Sequence, residues 1–287
     1  MRSSRSLIGT AVAVVAALSI AGGVLAATTV VVRPGDVATG YPPAGGGQTW
    51  FTADTRTGGS VSFVTGPAAP PLGIGSLQMT TTDAFGSTQA KAQLFNYSYI
   101  GTPLADFAIS YSAYRSSSST NNVGQTILLN LEVDVNGAAA GGFTTLVFEP
   151  LYQSGGTAAV ATDTWQTWDA YQGGNAVWWS TKDIPGACAF NCFVSWSSIL
   201  AANPDATIVG GVGFDVGSGW TGLFTGNADA LRIGVLGNTT VYNFEPNLPT
   251  PANKSDCKDG GWQNLYRADG SAFKNQGDCI QYVNTGK

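Results

Sequence analysis

The chain of 287 residues contains no histidine. That absence removes Ser-His-Asp and Cys-His catalysis, histidine-ligated zinc and a histidine pH switch. Charge is scarce too: Asp, Glu, Lys and Arg make up 11% of the residues, and the 13 basic side chains form no cluster. Without a basic patch there is no electrostatic footprint for nucleic acid or an acidic membrane surface. Neither is expected as a partner. The Leu/Glu/Lys-rich composition of helical proteins is also missing, and Gly, Ser and Thr abound instead, as in exported β proteins. Beyond residue 26 no apolar run reaches the roughly 20 residues that span a bilayer.

What is present begins at the N-terminus. Arg2 and Arg5 precede a small, apolar stretch from Leu7 to Ile20, and "GVLAA" offers small residues for cleavage after Ala26. This is the layout of a secretory signal peptide, with an uncleaved anchor as the alternative. The expected location is therefore secreted, extracellular or at the cell surface, with a membrane met only through the export signal. Loss of Arg2 and Arg5 takes the formal net charge from −5 to −7. The four cysteines, Cys188, Cys192, Cys257 and Cys279, are an even set, which in an exported chain suggests disulfides. Of the three pairings, proximity in sequence favours Cys188–Cys192 and Cys257–Cys279. A four-thiolate zinc site fits poorly, because C-x3-C and C-x21-C are not zinc-ribbon spacings.

Residues 27–49 read as an extended Pro/Gly-rich segment. From 50 to 246, short runs of period two such as "GSLQMTTT", "DFAISYSAYR", "QTILLNLEVDVNG", "GFTTLVFEP" and "ATIVGGVGFDVG" are punctuated by turn residues. One short helix is expected in "SWSSILAANP", capped by Ser195 or Ser197 and stopped by Pro204. Many closely spaced strands predict an all-β fold, an antiparallel β-sandwich of jelly-roll type, expected as a monomer. Residues 247–256 form a Pro-rich linker, and 257–287 a small tail that a disulfide would close.

The stretch "WFTADTRTGGSVSFVTGPAAPPLGIGSLQM", with "GTPLADFAISYSAY", "TWQTWDA", "VWWSTKDIPG" and "TTVYNFEP", resembles a group of secreted bacterial proteins of unassigned activity. Their pattern is similar to jelly-roll, concanavalin-like lectin domains. The tail, C-K-x-G-G-W followed by F-K-N-Q-G-x-C, resembles a segment that closes many exported bacterial proteins. Neither resemblance brings a defined set of functional residues.

Three places carry candidate chemistry. Residues 163–182 hold four of the eight tryptophans around "QGGN", a turn signal. Read as a hairpin turning at Gly173-Gly174, alternation puts Trp168 and Trp179 on a core face. Trp165 and Trp178 then stand among Asp163, Thr167 and Asp169 on a polar one. Indoles flanked by carboxylates and hydroxyls suit a sugar, although large aromatics are usually buried. In "LNLEVDVNG", Glu132 and Asp134 share the outer face of a strand. The strand resembles the E-x-D-x-x-E or E-x-D-x-E motif of laminarinase-like hydrolases, which implies Glu132 as nucleophile and Asp134 as its assistant. The acid/base position falls on Asn136 or Gly137, neither of which is a carboxylic acid, and Glu149 lies across a separate loop. Asp229 in "GNADALRIG" is a candidate ligand for structural calcium; no EF-hand loop is present and no other cofactor is expected. The leading expectation is a non-catalytic, envelope-associated protein that binds polysaccharide or cell-envelope glycan. A glycoside hydrolase using Glu132 and Asp134 and a structural surface protein without a small ligand are the alternatives.

Overall fold

The computed structural model describes residues 27–43, 48–82, 89–137 and 141–287; the signal segment expected at 1–26 lies outside them. Two mixed β-sheets pack into a sandwich. The seven-stranded sheet contains β1 (Thr28–Val32), β4 (Gly59–Thr65), β5 (Gly75–Thr81), β7 (Phe107–Arg115), β10 (Trp165–Asp169), β14 (Phe224–Val235) and β15 (Asn238–Phe244). The eight-stranded sheet contains β2 (Val37–Ala38), β3 (Trp50–Phe51), β6 (Lys91–Asn96), β8 (Leu128–Asp134), β9 (Phe143–Phe148), β11 (Val177–Ser180), β12 (Val194–Ser195) and β13 (Thr207–Gly217). Pairing is antiparallel except between β1 and β15 and between β2 and β3.

The core forms because alternate residues of both sheets meet. On β8, Leu129, Leu131 and Val133 are fully buried, while Asn130, Glu132 and Asp134 point the other way. Facing strands contribute Ile109, Tyr111, Leu231 and Phe244. The hydroxyl of buried Tyr111 donates to the Ile127 carbonyl at 2.6 Å, so this polar atom is not stranded in the apolar layer. Burying side chains of this size stabilises the fold by roughly 1.5–3 kcal/mol each.

Residues 163–182 are not a hairpin. β10 pairs with β7 in one sheet, whereas β11 pairs with β9 and β12 in the other. The chain between them crosses the sandwich, with Gly173 at φ +62° and Gly174 at φ +93° in the connection. On β10 the alternation holds, with Trp168 packed against the core and Thr167 and Asp169 exposed. On β11 it is inverted. Trp178 is fully buried against Phe148 and Trp196, with its Nε1 donating to the Ala170 carbonyl, and Trp179 faces outward. The reason is topological: a strand of the opposite sheet meets the core with its opposite face.

Helix α1 (Trp196–Ala202) starts at Ser195, whose side chain accepts from Ser198 N at 3.2 Å. The cysteines pair as Cys188–Cys192 and Cys257–Cys279. Residues 247–256 contain no strand or helix. The tail gathers Phe273, Trp262 and Tyr282 around its disulfide and ends in α2 (Gln276–Thr285). Arg33 ties it to the sandwich by donating to the carbonyls of Pro246 and Ala268. No helix among the described residues is long and apolar enough to cross a membrane.

Candidate functional site

The outer face of the eight-stranded sheet holds a cavity of about 230 Å³. Strand register explains which side chains reach it. Leu128 pairs with Asp215 on β13, and Asp215 with Gln93 on β6. Glu149 follows Phe148, the partner of Leu129, and so lies opposite Leu128. Glu149, Leu128, Asp215 and Gln93 thus form one row. In the neighbouring row Trp179 pairs with Val147, and Val147 with Asn130. Trp179, Phe190, Trp220 and Tyr41 supply aromatic lining, and Lys91 is the cation among the described lining residues.

The floor is polar and incompletely satisfied. Asn130 Nδ2 donates to Asp215 Oδ2 at 3.0 Å, yet Asp215 Oδ1 and Asn130 Oδ1 are buried with no partner. Burial pushes the Asp215 carboxyl up to about 6 against the opposing influence of Lys91, Asn130 and Gln93. Trp179 Nε1 donates to Glu149 Oε1 at 3.3 Å. Burial, with the Asp215 charge adding to it, pushes Glu149 up to about 7 despite that bond. Glu132 is also raised by burial, which the Gly211 N–H and Lys91 oppose. Its Oε2 accepts from Gly211 N at 2.6 Å, at a bulge where β13 shifts register between Ile208 and Val212. A Cβ on Gly210 would lie 2.2 Å from Glu132 Oε2, so this approach needs glycine. Lys91 is itself paired with Asp54 at 3.3 Å.

The short disulfide shapes the rim. Phe190 lies inside the Cys188–Cys192 loop with φ +58°, and its N–H donates to the Ser180 carbonyl. Its ring stands 5.7 Å from Trp179.

Of the sequence candidates, Glu132 lines the cavity. Asp134 does not: its Oδ1 accepts from Asn136 N at 2.9 Å at the end of β8, and only Glu132 of the two reaches the cavity. Trp178 is a core residue, which removes it from any sugar platform. Trp165 remains at the surface of the other sheet, half-buried against Tyr114 with its Nε1 on the Pro67 carbonyl. Beside it Thr167 and Asp169 edge an open depression that also includes Arg232 and Tyr171. Asp169 is committed to the N–H groups of Tyr171 and Gln172, and Asp163 to Ser117 and Tyr114. Sequence reasoning did not single out Asp215 or Asn130, set Glu149 aside as lying across a separate loop, and placed Trp179 on a core face. The legible signal was a lone acid at an outward position of an apolar strand, as in "GFDVG" and "LVFEP".

Asp229 is fully buried on β14 and accepts from Leu72 N at 2.8 Å and Phe244 N at 3.2 Å. Glu245 is 2% exposed and accepts from Ile74 N at 3.1 Å. Glu245 Oε2 and Asn243 Oδ1 are buried without a partner. Burial, with Glu245 adding to it, pushes Asp229 up to about 6. An all-oxygen set with two carboxylates suits a hard cation such as calcium, although no group of three or more His, Cys, Asp or Glu gathers among the described residues.

Comparison of the chain with protein families, curated proteins and solved structures yields no significant match.

Proposed function

We propose that this is an exported, monomeric glycan-binding protein whose ligand occupies the cavity over Trp179 and the Glu149–Leu128–Asp215 row. The observation that carries this reading is the pair of buried, unpartnered acceptors, Asp215 Oδ1 and Asn130 Oδ1, beneath the aromatic wall of Trp179 and Phe190. Unpartnered acceptors are costly when buried and call for donors. Sugar hydroxyls are such donors, and the C–H faces of the same rings stack on indole. Export is supported by the basic, apolar N-terminal layout and by two disulfides, which persist in oxidising compartments. The tail's likeness to a recurring C-terminal segment of exported proteins supports it further. A hard cation held by Asp229 and Glu245 would be structural. It would neutralise two buried carboxylates and tie residues 72–74 to the end of β15.

The test is isothermal titration calorimetry of the purified chain with soluble glucan, xylan and mannan oligosaccharides. Trp179→Ala is expected to weaken binding about tenfold or more, the scale of a buried aromatic anchor. Trp165→Ala is expected to leave it unchanged. Binding lost with Trp165 and kept without Trp179 would move the site to the other sheet.

A further inference from the structure

We infer that the cavity hydrolyses neutral glycosidic bonds with inversion of configuration, Glu149 donating the proton and Asp215 acting as base. The inference rests on the reading of the cavity as a glycan site. Glu149 and Asp215 flank Leu128 from opposite sides, two inter-strand spacings apart. That places their main chains roughly 10 Å from one another, and side chains on one sheet face stand nearly parallel. Inverting glycosidases hold their carboxyls about 6.5–9.5 Å apart to admit a water, whereas retaining enzymes hold them at about 5–5.5 Å. Leu128, between the two carboxyls, is an apolar spot in the polar floor against which the C–H face of a sugar ring can lie.

The two environments differ in the way the reaction requires. Glu149 is held by the Trp179 N–H at its Oε1, and the remaining oxygen is left to carry a proton. Asp215 lines the cavity, is 8% exposed and is anchored through Oδ2 by Asn130, while its Oδ1 is buried without a partner. Asp215 pairs with Leu128, so a water that this carboxyl takes up on substrate binding would stand beside the space above Leu128. Burial raises both carboxyls, Glu149 to about 7 and Asp215 to about 6, and the roles are assigned by contact: the Trp179 N–H holds one oxygen of Glu149 and the Asn130 amide holds one oxygen of Asp215. Glu132 is a poor substitute for either. It lies four residues along β8 from Leu128, roughly 13 Å away, and its Oε2 is occupied by Gly211 N–H.

The step balances without a co-reactant. Water oxygen bonds to the anomeric carbon as the bond to the leaving oxygen breaks. The leaving oxygen takes the Glu149 proton, and Asp215 takes a proton from the water. Exchange with solvent then restores both groups. Substrate charge follows from the lining: Glu132, Glu149 and Asp215 are its acidic groups, and Lys91 is already paired with Asp54. Polyuronates are therefore disfavoured and neutral polysaccharides fit.

The experiment uses the full chain with laminarin, mixed-linkage β-glucan, xylan and mannan, with polygalacturonate as the charged control. Reducing-end release, the anomer formed first by proton NMR, and binding by calorimetry are followed together. Hydrolysis of a neutral glycan with inversion is expected. Glu149→Gln and Asp215→Asn should each lose about 10²–10⁴-fold in rate while still binding. Thermal melts show whether both variants fold, and if Asp215→Asn does not, Glu149→Gln and the NMR carry the test. Retention of configuration, or undiminished hydrolysis by folded Glu149→Gln, overturns the inference. Binding without hydrolysis of any of the four neutral polymers overturns it too and leaves the glycan-binding reading standing. No binding to any of them removes both.

Discussion

The outer faces of the two sheets carry the same chemistry in different states. Over β10 and β7, Trp165 and Tyr114 stand beside Asp163, Thr167 and Asp169; over β9, β8 and β13, Trp179 and Phe190 stand beside Glu149 and Asp215. On the first face Asp163 and Asp169 are exposed and already engaged, Asp169 by the turn that follows β10 and Asp163 by Ser117 and Tyr114. The Ser117 hydrogen bonds even hold Asp163 below the usual carboxylate range. On the second the carboxylates are sunk in the sheet, raised by burial, and short of partners. Residue type alone does not make a site. The second face keeps acceptors that the protein does not satisfy, and that gives a ligand something to gain.

The sharpest way to test this contrast is the indole set. Trp178→Ala empties a fully buried position and should cost roughly 3–5 kcal/mol in urea unfolding. Trp165→Ala, which loses one hydrogen bond at a half-buried position, should cost about 1 kcal/mol. Equal costs for the two would erase the distinction between core and surface indoles. Trp179→Ala should fall between them in stability while having the largest effect on binding.

Calcium is the next effect in size. If Asp229 and Glu245 hold a cation, chelation should lower Tm, and saturating calcium at about 100-fold over Kd should restore roughly 2.7 kcal/mol. Asp229→Asn should melt at the same temperature with and without chelator. A wild-type melt indifferent to chelator would remove the calcium reading.

A smaller effect is expected from pH. Glu149 binds its proton more tightly folded than unfolded, so between about pH 4.5 and 7 the native state holds more protons than the unfolded one. Stability from this group is complete below about pH 4.5 and is lost as pH rises through about 7. Asp215 acts the same way between about 3.8 and 6. Glu149→Gln should therefore be more stable than wild type at pH 8, and the two should converge at pH 4. A variant less stable than wild type at pH 8 would mean that Glu149 is stabilised as an anion.

The smallest change concerns the rim. Replacing Cys188 and Cys192 by serine releases Phe190 without touching the core, so glycan affinity should fall a few-fold with only a minor shift in Tm. Unchanged affinity would show that Phe190 covers Trp179 without contacting the ligand.

Most of the strands were legible. "GSLQMTTT" becomes β5, "DFAISYSAYR" becomes β7 and "GFTTLVFEP" becomes β9, because period-two patterning is a local property of the chain. Both disulfides join the cysteines nearest in sequence, and Ser195 caps its helix, again for local reasons. The candidate site was legible only at Glu132. Asp134 shares its strand face but accepts from Asn136 N, which follows from its place at the strand end rather than from its charge.

The amino-acid sequence alone determined that this is a β protein without histidine chemistry, closed by local disulfides, with alternating strands that bury one face. Partner choice between strands was decided by the tertiary structure. β10 and β11 are only seven residues apart, yet they settle in opposite sheets, which moves Trp178 into the core and Trp179 to the cavity. Glu149 and Asp215, 66 residues apart, meet because β9 and β13 both pair with β8. Alternation says which residues share a face, but only pairing says which face meets the core and which distant acids become neighbours.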